Sequence, residues 1–155
     1  MSLTVRENIF ANLKTVLAGI TVAGGYANTL GSVQRWKQHG NLLKDTPAVI
    51  IKSGPETKSP ARSYNLTDCN LSIMLDLWIR EAETSTADSE VVMNSLFGDI
   101  EKALTLDITR GGYARDTRIV SATPFETVEG EPLFGLAIEL EIIYAHKQTD
   151  PYTKG

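Results

Sequence analysis

Apolar residues recur at two different spacings along this chain, and the changes of spacing mark out its elements. Val5, Ile9, Leu13, Val16, Leu17 and Ile20 fall three or four residues apart, the repeat that puts side chains on one face of a helix. Thr4-Val5-Arg6-Glu7 ahead of them fits a capping box, in which hydroxyl and carboxylate each satisfy a free backbone donor. Gly19 and Gly24-Gly25 supply the stop. Residues 32–36 and 47–52 read as two strands separated by a polar turn at His39-Gly40-Asn41. The unbroken apolar run Ala48-Val49-Ile50-Ile51 suits a strand covered on both faces. Between it and the next strand lie Gly54, Pro55, Pro60 and several hydroxyl residues, which predict a long mobile loop over about 53–68.

From Cys69 to Arg80 the alternation is strict. Leu71, Ile73, Leu75, Leu77 and Ile79 point one way, and Asn70, Ser72, Met74, Asp76, Trp78 and Arg80 the other. A second helix follows, with Ser85 and Asp88 as its capping box and Val92, Leu96, Ile100, Ala103 and Leu104 as its stripe. Beyond Gly111-Gly112, strands over 118–128 and 133–146 form a hairpin around Glu129-Gly130-Glu131-Pro132. A flexible tail is expected over about 147–155. The order α-β-β-β-α-β-β predicts a single α+β domain. Its antiparallel or mixed sheet has about five strands, with two helices packed on one face.

Composition narrows the function. The 155 residues carry 15 basic and 19 acidic side chains, a net charge of −4. That balance disfavours wrapping nucleic acid, where affinity comes from neutralising phosphates, and disfavours an anionic membrane surface. No apolar run approaches the ~20 residues that span a bilayer. The N-terminal residues lack the hydrophobic segment of a signal peptide, and the single cysteine, Cys69, cannot form an internal disulfide. Assembly in a reducing cytoplasm is the expectation.

Catalytic chemistry finds little to use. His39 and His146 lack the closely spaced partners of a zinc site and read as surface histidines. Cys69 has only Asp68 beside it, not the electropositive setting of a reactive thiol, and reads as a small structural residue. Neither glycine pair has phosphate-loop or dinucleotide spacing. Arg110-Gly111-Gly112-Tyr113-Ala114-Arg115 with Arg118 could stack on and neutralise a nucleic acid, but reads more simply as a turn with solvated arginines. Glu139 and Glu141 project from one strand face roughly 7 Å apart. They are either a solvated face or, with Asp76, an acidic surface lining a passage. Trp78, on the polar face, is either covered by another part of the domain or exposed for a partner.

Several of these features occur together in one order. Gly25-Tyr26, Val33-Gln34-Arg35 and Asp45-Thr46-Pro47-Ala48-Val49-Ile50-Ile51 precede Gly54 and Glu56. Asp99-Ile100-Glu101-Lys102-Ala103-Leu104 is followed by Asp107 and Gly111-Gly112. The chain closes on Ile142-Ile143-Tyr144 and Asp150-Pro151-Tyr152-Thr153. The arrangement resembles, over nearly the whole chain, the tail terminator (minor tail) proteins of long-tailed siphophages and their prophages, the lambda-like kind. The resemblance implies a small α+β subunit of a hexameric ring at the head-proximal end of the tail tube. Such a ring stops tube polymerisation and receives the head through its neck proteins, with DNA passing through its centre. It implies no catalysis, no metal and no cofactor, and a place in the virion after assembly in the host cytoplasm. Candidate contact residues are Pro55, Glu56, Lys58, Arg62 and Tyr64 of the loop, then Trp78, and Asp150, Pro151 and Tyr152 near the end. Asp76, Glu139 and Glu141 are the candidate lumen-facing acids. Two other readings stay open: a different neck or head-completion (stopper) subunit, and a small-molecule-binding or enzymatic domain whose site forms between subunits.

Overall fold

A computed structural model describes residues 2–36, 45–60, 65–80, 88–126 and 133–155. His39, Arg62, Tyr64, Ser85 and the turn at 129–132 lie outside them, so the expectations placed there have no structural account.

Helix α1 (Val5–Ala18) buries Val5, Ile9, Leu13 and Leu17 of the predicted stripe and adds Phe10, while Val16 is half-buried and Ile20 is buried just beyond the helix. Thr4 caps it, its hydroxyl accepting from the Glu7 amide at 3.1 Å. The other half of the expected capping box is replaced: the Glu7 carboxylate pairs instead with the Arg35 guanidinium, at 2.6 and 3.2 Å. A charged fork from the sheet outcompetes the local amide because two charge-assisted bonds exceed one neutral donor. Helix α2 (Ser89–Leu106) is capped by Asp88, whose carboxylate accepts from the Glu90 amide at 3.1 Å. Its buried face is Leu96, Asp99, Ile100, Ala103 and Leu104.

Six strands form one mixed sheet: β1 (Ser32–Arg35), β2 (Ala48–Pro60), β3 (Leu66–Arg80), β4 (Asp116–Glu126), β5 (Leu133–Lys147) and β6 (Asp150–Lys154). The order across the sheet is β1-β2-β3-β5-β4, with β1 parallel to β2, the other pairs antiparallel, and β6 paired to β5. The α+β architecture is as the patterning predicts, with one strand more than expected. Leu71, Ile73, Leu75 and Leu77 of β3 sit opposite Ile142, Leu140, Ile138 and Leu136 of β5. With Val49 and Ile51 of β2 they make the sheet's side of a single core shared with both helices.

Two stretches depart from the sequence reading. The residues expected as a loop from 53 onward extend β2 to Pro60, and β3 begins at Leu66 rather than Cys69. A bulge between Ser53 and Glu56 absorbs Gly54 and Pro55. After it, pairing resumes with Glu56 opposite Leu71 and Lys58 opposite Cys69. The bulge shifts the alternation by one residue, so the even-numbered Glu56 and Lys58 face the helix side that Val49 and Ile51 face before it. A Cβ on Gly54 would lie 2.8 Å from the Ser72 carbonyl oxygen, so the close approach of the strands requires glycine. The tail expected over 147–155 instead turns back as β6. The Gly155 amide donates to the Ala145 carbonyl at 3.0 Å and the Arg115 amide to the Ile143 carbonyl at 2.7 Å. Strand β6 thus lies in line with β4 along the same side of β5.

Candidate functional site: the uncovered face of the sheet

Both helices lie on one side of the sheet. On the opposite face Asp76 is buried, and so are Ala48 and Ile50, as expected of a β2 run covered on both faces, while toward β5 the described residues leave the face open. Its rows are Asn70, Ser72, Met74, Asp76 and Trp78 of β3, and Ala137, Glu139, Glu141 and Ile143 of β5. The strict alternation of these strands forces that arrangement. Glu139 and Glu141 front an open concavity of about 350 Å³, with Pro55 and Thr57 of β2 and Asn70 and Ser72 of β3 on its other walls. The Asn70 side-chain amide donates to Glu141 Oε1 at 2.7 Å. Ser72 and Ser121 donate to the two oxygens of Glu139, at 3.4 and 3.2 Å. Both glutamates are half-buried. The neutral donors fix their orientation without cancelling their charge, so the concavity presents a negative surface.

Asp76 does not join them. It shares the face but is buried, 8% exposed, and is ion-paired with Lys52 of the neighbouring strand. The three acids expected together are therefore a pair fronting the concavity and a third neutralised beside it. Arg118 stands opposite Glu141 in register, yet its Nε pairs with Asp116 at 2.6 Å. Trp78 resolves midway between its two readings. It is half-buried, with its ring edge-on to Phe125 at 4.6 Å between centroids. Gly135, opposite both residues, permits that contact. A Cβ there would collide with the Leu77 carbonyl and lie 2.6 Å from the Phe125 ring.

Of the other candidate contact residues, Pro55 is exposed at the rim of the concavity. Glu56 is not available to a partner. Its side chain is only 9% exposed on the helix side, held by Arg6, Lys58 and the Tyr144 hydroxyl. Lys58 remains partly exposed, with its amine 2.9 Å from His146 Nε2 and 3.3 Å from Cys69 Sγ. His146, expected on the surface, is buried against this cluster. Asp150 folds onto its own turn, accepting from the Thr153 hydroxyl at 2.5 Å and the Tyr152 amide at 3.1 Å. Those two bonds, the hydroxyl's first, hold its carboxyl below the usual carboxylate range. Pro151 and Tyr152 are exposed, Tyr152 to 54%.

The basic cluster separates as well. Arg110 is fully buried, in the left-handed region at φ 51°. Its guanidinium donates to the Leu104 carbonyl at 2.7 Å and to the Asp107 carbonyl, closing the C-terminal end of α2. Burial lowers the Arg110 pKa, and the nearby Asp107 carboxylate opposes that shift. Arg115 pairs with Asp68 at 3.0 Å. A cation on helix-terminal carbonyls is a structural use of arginine, and it removes one of the charges a nucleic-acid surface would need.

Among the described residues, no group of three or more His, Cys, Asp or Glu could hold a metal ion. No helix there is long and apolar enough to cross a membrane. No protein-family model matches the chain, and no curated protein matches it in sequence.

Two features escaped the sequence reading. One is the Glu56–Lys58–Tyr144–His146 cluster, hidden by the bulge that resets the alternation. The other is Asp99, buried in the apolar face of α2, which accepts from the Asn28 amide and side chain at 2.9 Å each and from the Ala27 amide at 3.2 Å. A lone acid inside a helix's apolar stripe is the signal that could have found the second.

Proposed function

We propose that this protein is a structural ring subunit of the tail-terminator kind. In that role copies of the chain close a ring, the hexamer that its resemblance implies, at the head-proximal end of a phage or prophage tail tube. The ring ends tube polymerisation and offers the surface on which a neck protein docks, with DNA as cargo rather than ligand. It carries out no reaction and holds no cofactor, and its final place is the virion.

The observation that carries this reading is the sheet face that the helices leave uncovered. A ring subunit needs one side to hold itself together and other surfaces to present. Here the core is confined to the helix side, while the glutamates of the opposite face are held in fixed orientation by Asn70, Ser72 and Ser121. A fixed negative lining repels phosphate and lets DNA slide without adhering. Among the described residues the sheet ends at β1 on one side and at the aligned β4 and β6 on the other, and sheet ends of this kind give copies of the chain places to meet. The test is electron microscopy of tails assembled without this protein. Tubes of uncontrolled length are expected; finished tails of uniform length would refute the terminator role.

A further inference from the structure

Strand β2 is held in two different ways along its length. From Ala48 to Ile51 it lies between β1 and β3, and Val49 and Ile51 are anchored in the core. Past the bulge, Glu56–Pro60 pairs with β3 alone, among the described residues, and Thr57 to Pro60 are exposed. No aliphatic side chain of this segment enters the core.

Polar side chains do the holding. The Glu56 carboxylate accepts from the Tyr144 hydroxyl at 2.5 Å and pairs with Arg6 of α1 and with Lys58, each at 3.3 Å. The Lys58 ammonium has three protons and three acceptors: Glu56 Oε2, His146 Nε2 and Cys69 Sγ. The histidine's role follows from its other nitrogen. Nδ1 lies 2.7 Å from the Lys147 carbonyl, which can only accept, so Nδ1 carries the proton and Nε2 receives one from Lys58. Beneath Lys58 the Cys69 thiol is 1% exposed.

We propose that Glu56–Pro60 is a latched edge strand that opens as a unit while the rest of the fold stays intact, and that Cys69 is the thiol its opening uncovers. Local opening loses only what the opened segment contributes. For Glu56–Pro60 that is one ladder of backbone bonds and the polar latch, whereas opening the first half of β2 would also expose core side chains. A latch of a few hydrogen bonds, unlike a packed core, is released by deleting one of them. The inference rests on this contact set and stands apart from the ring reading.

Cys69 is the only cysteine of the chain, so its reaction with an aromatic disulfide reagent reports the opening directly. Labelling of the full chain is followed at increasing urea and compared with global unfolding of the same protein. The expected result is labelling faster than global unfolding permits, with a shallow dependence on urea, since little surface is exposed. Tyr144→Phe should speed it about tenfold, the effect of one charge-assisted bond. Should that variant fail to fold, Lys58→Met keeps the side-chain bulk but removes the ammonium that joins Glu56, His146 and Cys69, with the same expectation. Ile100→Val, a core change in α2 that lowers global stability equally in the closed and opened forms, should leave labelling unchanged. Labelling that follows the full urea dependence of unfolding, or that accelerates with Ile100→Val, would overturn the proposal. So would labelling indifferent to the latch variants.

Discussion

Tyr144 shows how far one side chain can depart from what its position in a pattern suggests. In the sequence it is the last of five apolar residues on a strand face. In the structure its ring is buried and its hydroxyl donates to the Glu56 carboxylate. Burial first, then that hydrogen bond, raises the tyrosine's pKa well above its ordinary value. The folded state therefore holds the phenolic proton more tightly than the unfolded chain does. The stability this supplies is complete below the unfolded tyrosine's pKa of about 10 and is lost as pH rises beyond it. Urea unfolding of wild type and Tyr144→Phe should differ by about 1–2 kcal/mol from neutral pH to about 9. Above about 10 the difference should shrink. A difference independent of pH up to the alkaline limit would show that the hydroxyl is not held as described. Arg110 teaches the converse: among glycines and other arginines it looks solvated, and only a left-handed turn carries it beneath the end of α2.

At the level of elements, α1 and β3 from Cys69 onward were legible because one face of each is buried along its length. The far half of β2 was not. Proline, glycine and hydroxyl residues favour turns locally, but pairing with β3 supplies partners for the backbone, and the bulge absorbs the residues that do not fit. Helix α2 has a second task that its stripe does not reveal. Through Asp99 it fastens the segment after α1, while Lys102 donates to the Gly25 carbonyl and lies over the Tyr26 ring. Replacing Asp99 with Ala should cost about 2 kcal/mol, because it removes the charged acceptor shared by the part-buried amides of Ala27 and Asn28 and the Asn28 side chain. Hydrogen exchange should then quicken at those two amides more than in β3. Unchanged exchange there would mean that the carboxylate does not anchor the segment.

For the whole molecule, the division into a helix-covered face and an opposite face that the described residues leave open around Glu139 and Glu141 sets what a partner can touch. If the uncovered face lines a passage for DNA, the sign of its charge matters to transit and not to the fold. The double variant Glu139→Lys with Glu141→Lys should form rings like the wild type, seen by native mass spectrometry with tail tubes, yet reduce DNA delivery. Normal infectivity in that variant would remove the lumenal role. Asp76→Asn should have a weaker effect on passage, since Lys52 already neutralises Asp76.

The sequence by itself determined the two helices, the central strands and the α+β class, because hydrophobic spacing records which face of each element leaves water. It also placed Glu139 and Glu141 on one face. Tertiary structure alone decided that Asp76 is withdrawn from them, that Glu56 turns inward, and that the last residues return as a strand. Each of those outcomes depends on a partner far along the chain: Lys52 for Asp76, Tyr144 for Glu56 and β5 for β6. Local spacing carries no record of such pairings, since a bulge or a cross-strand ion pair changes the environment of a residue without changing its neighbours in sequence.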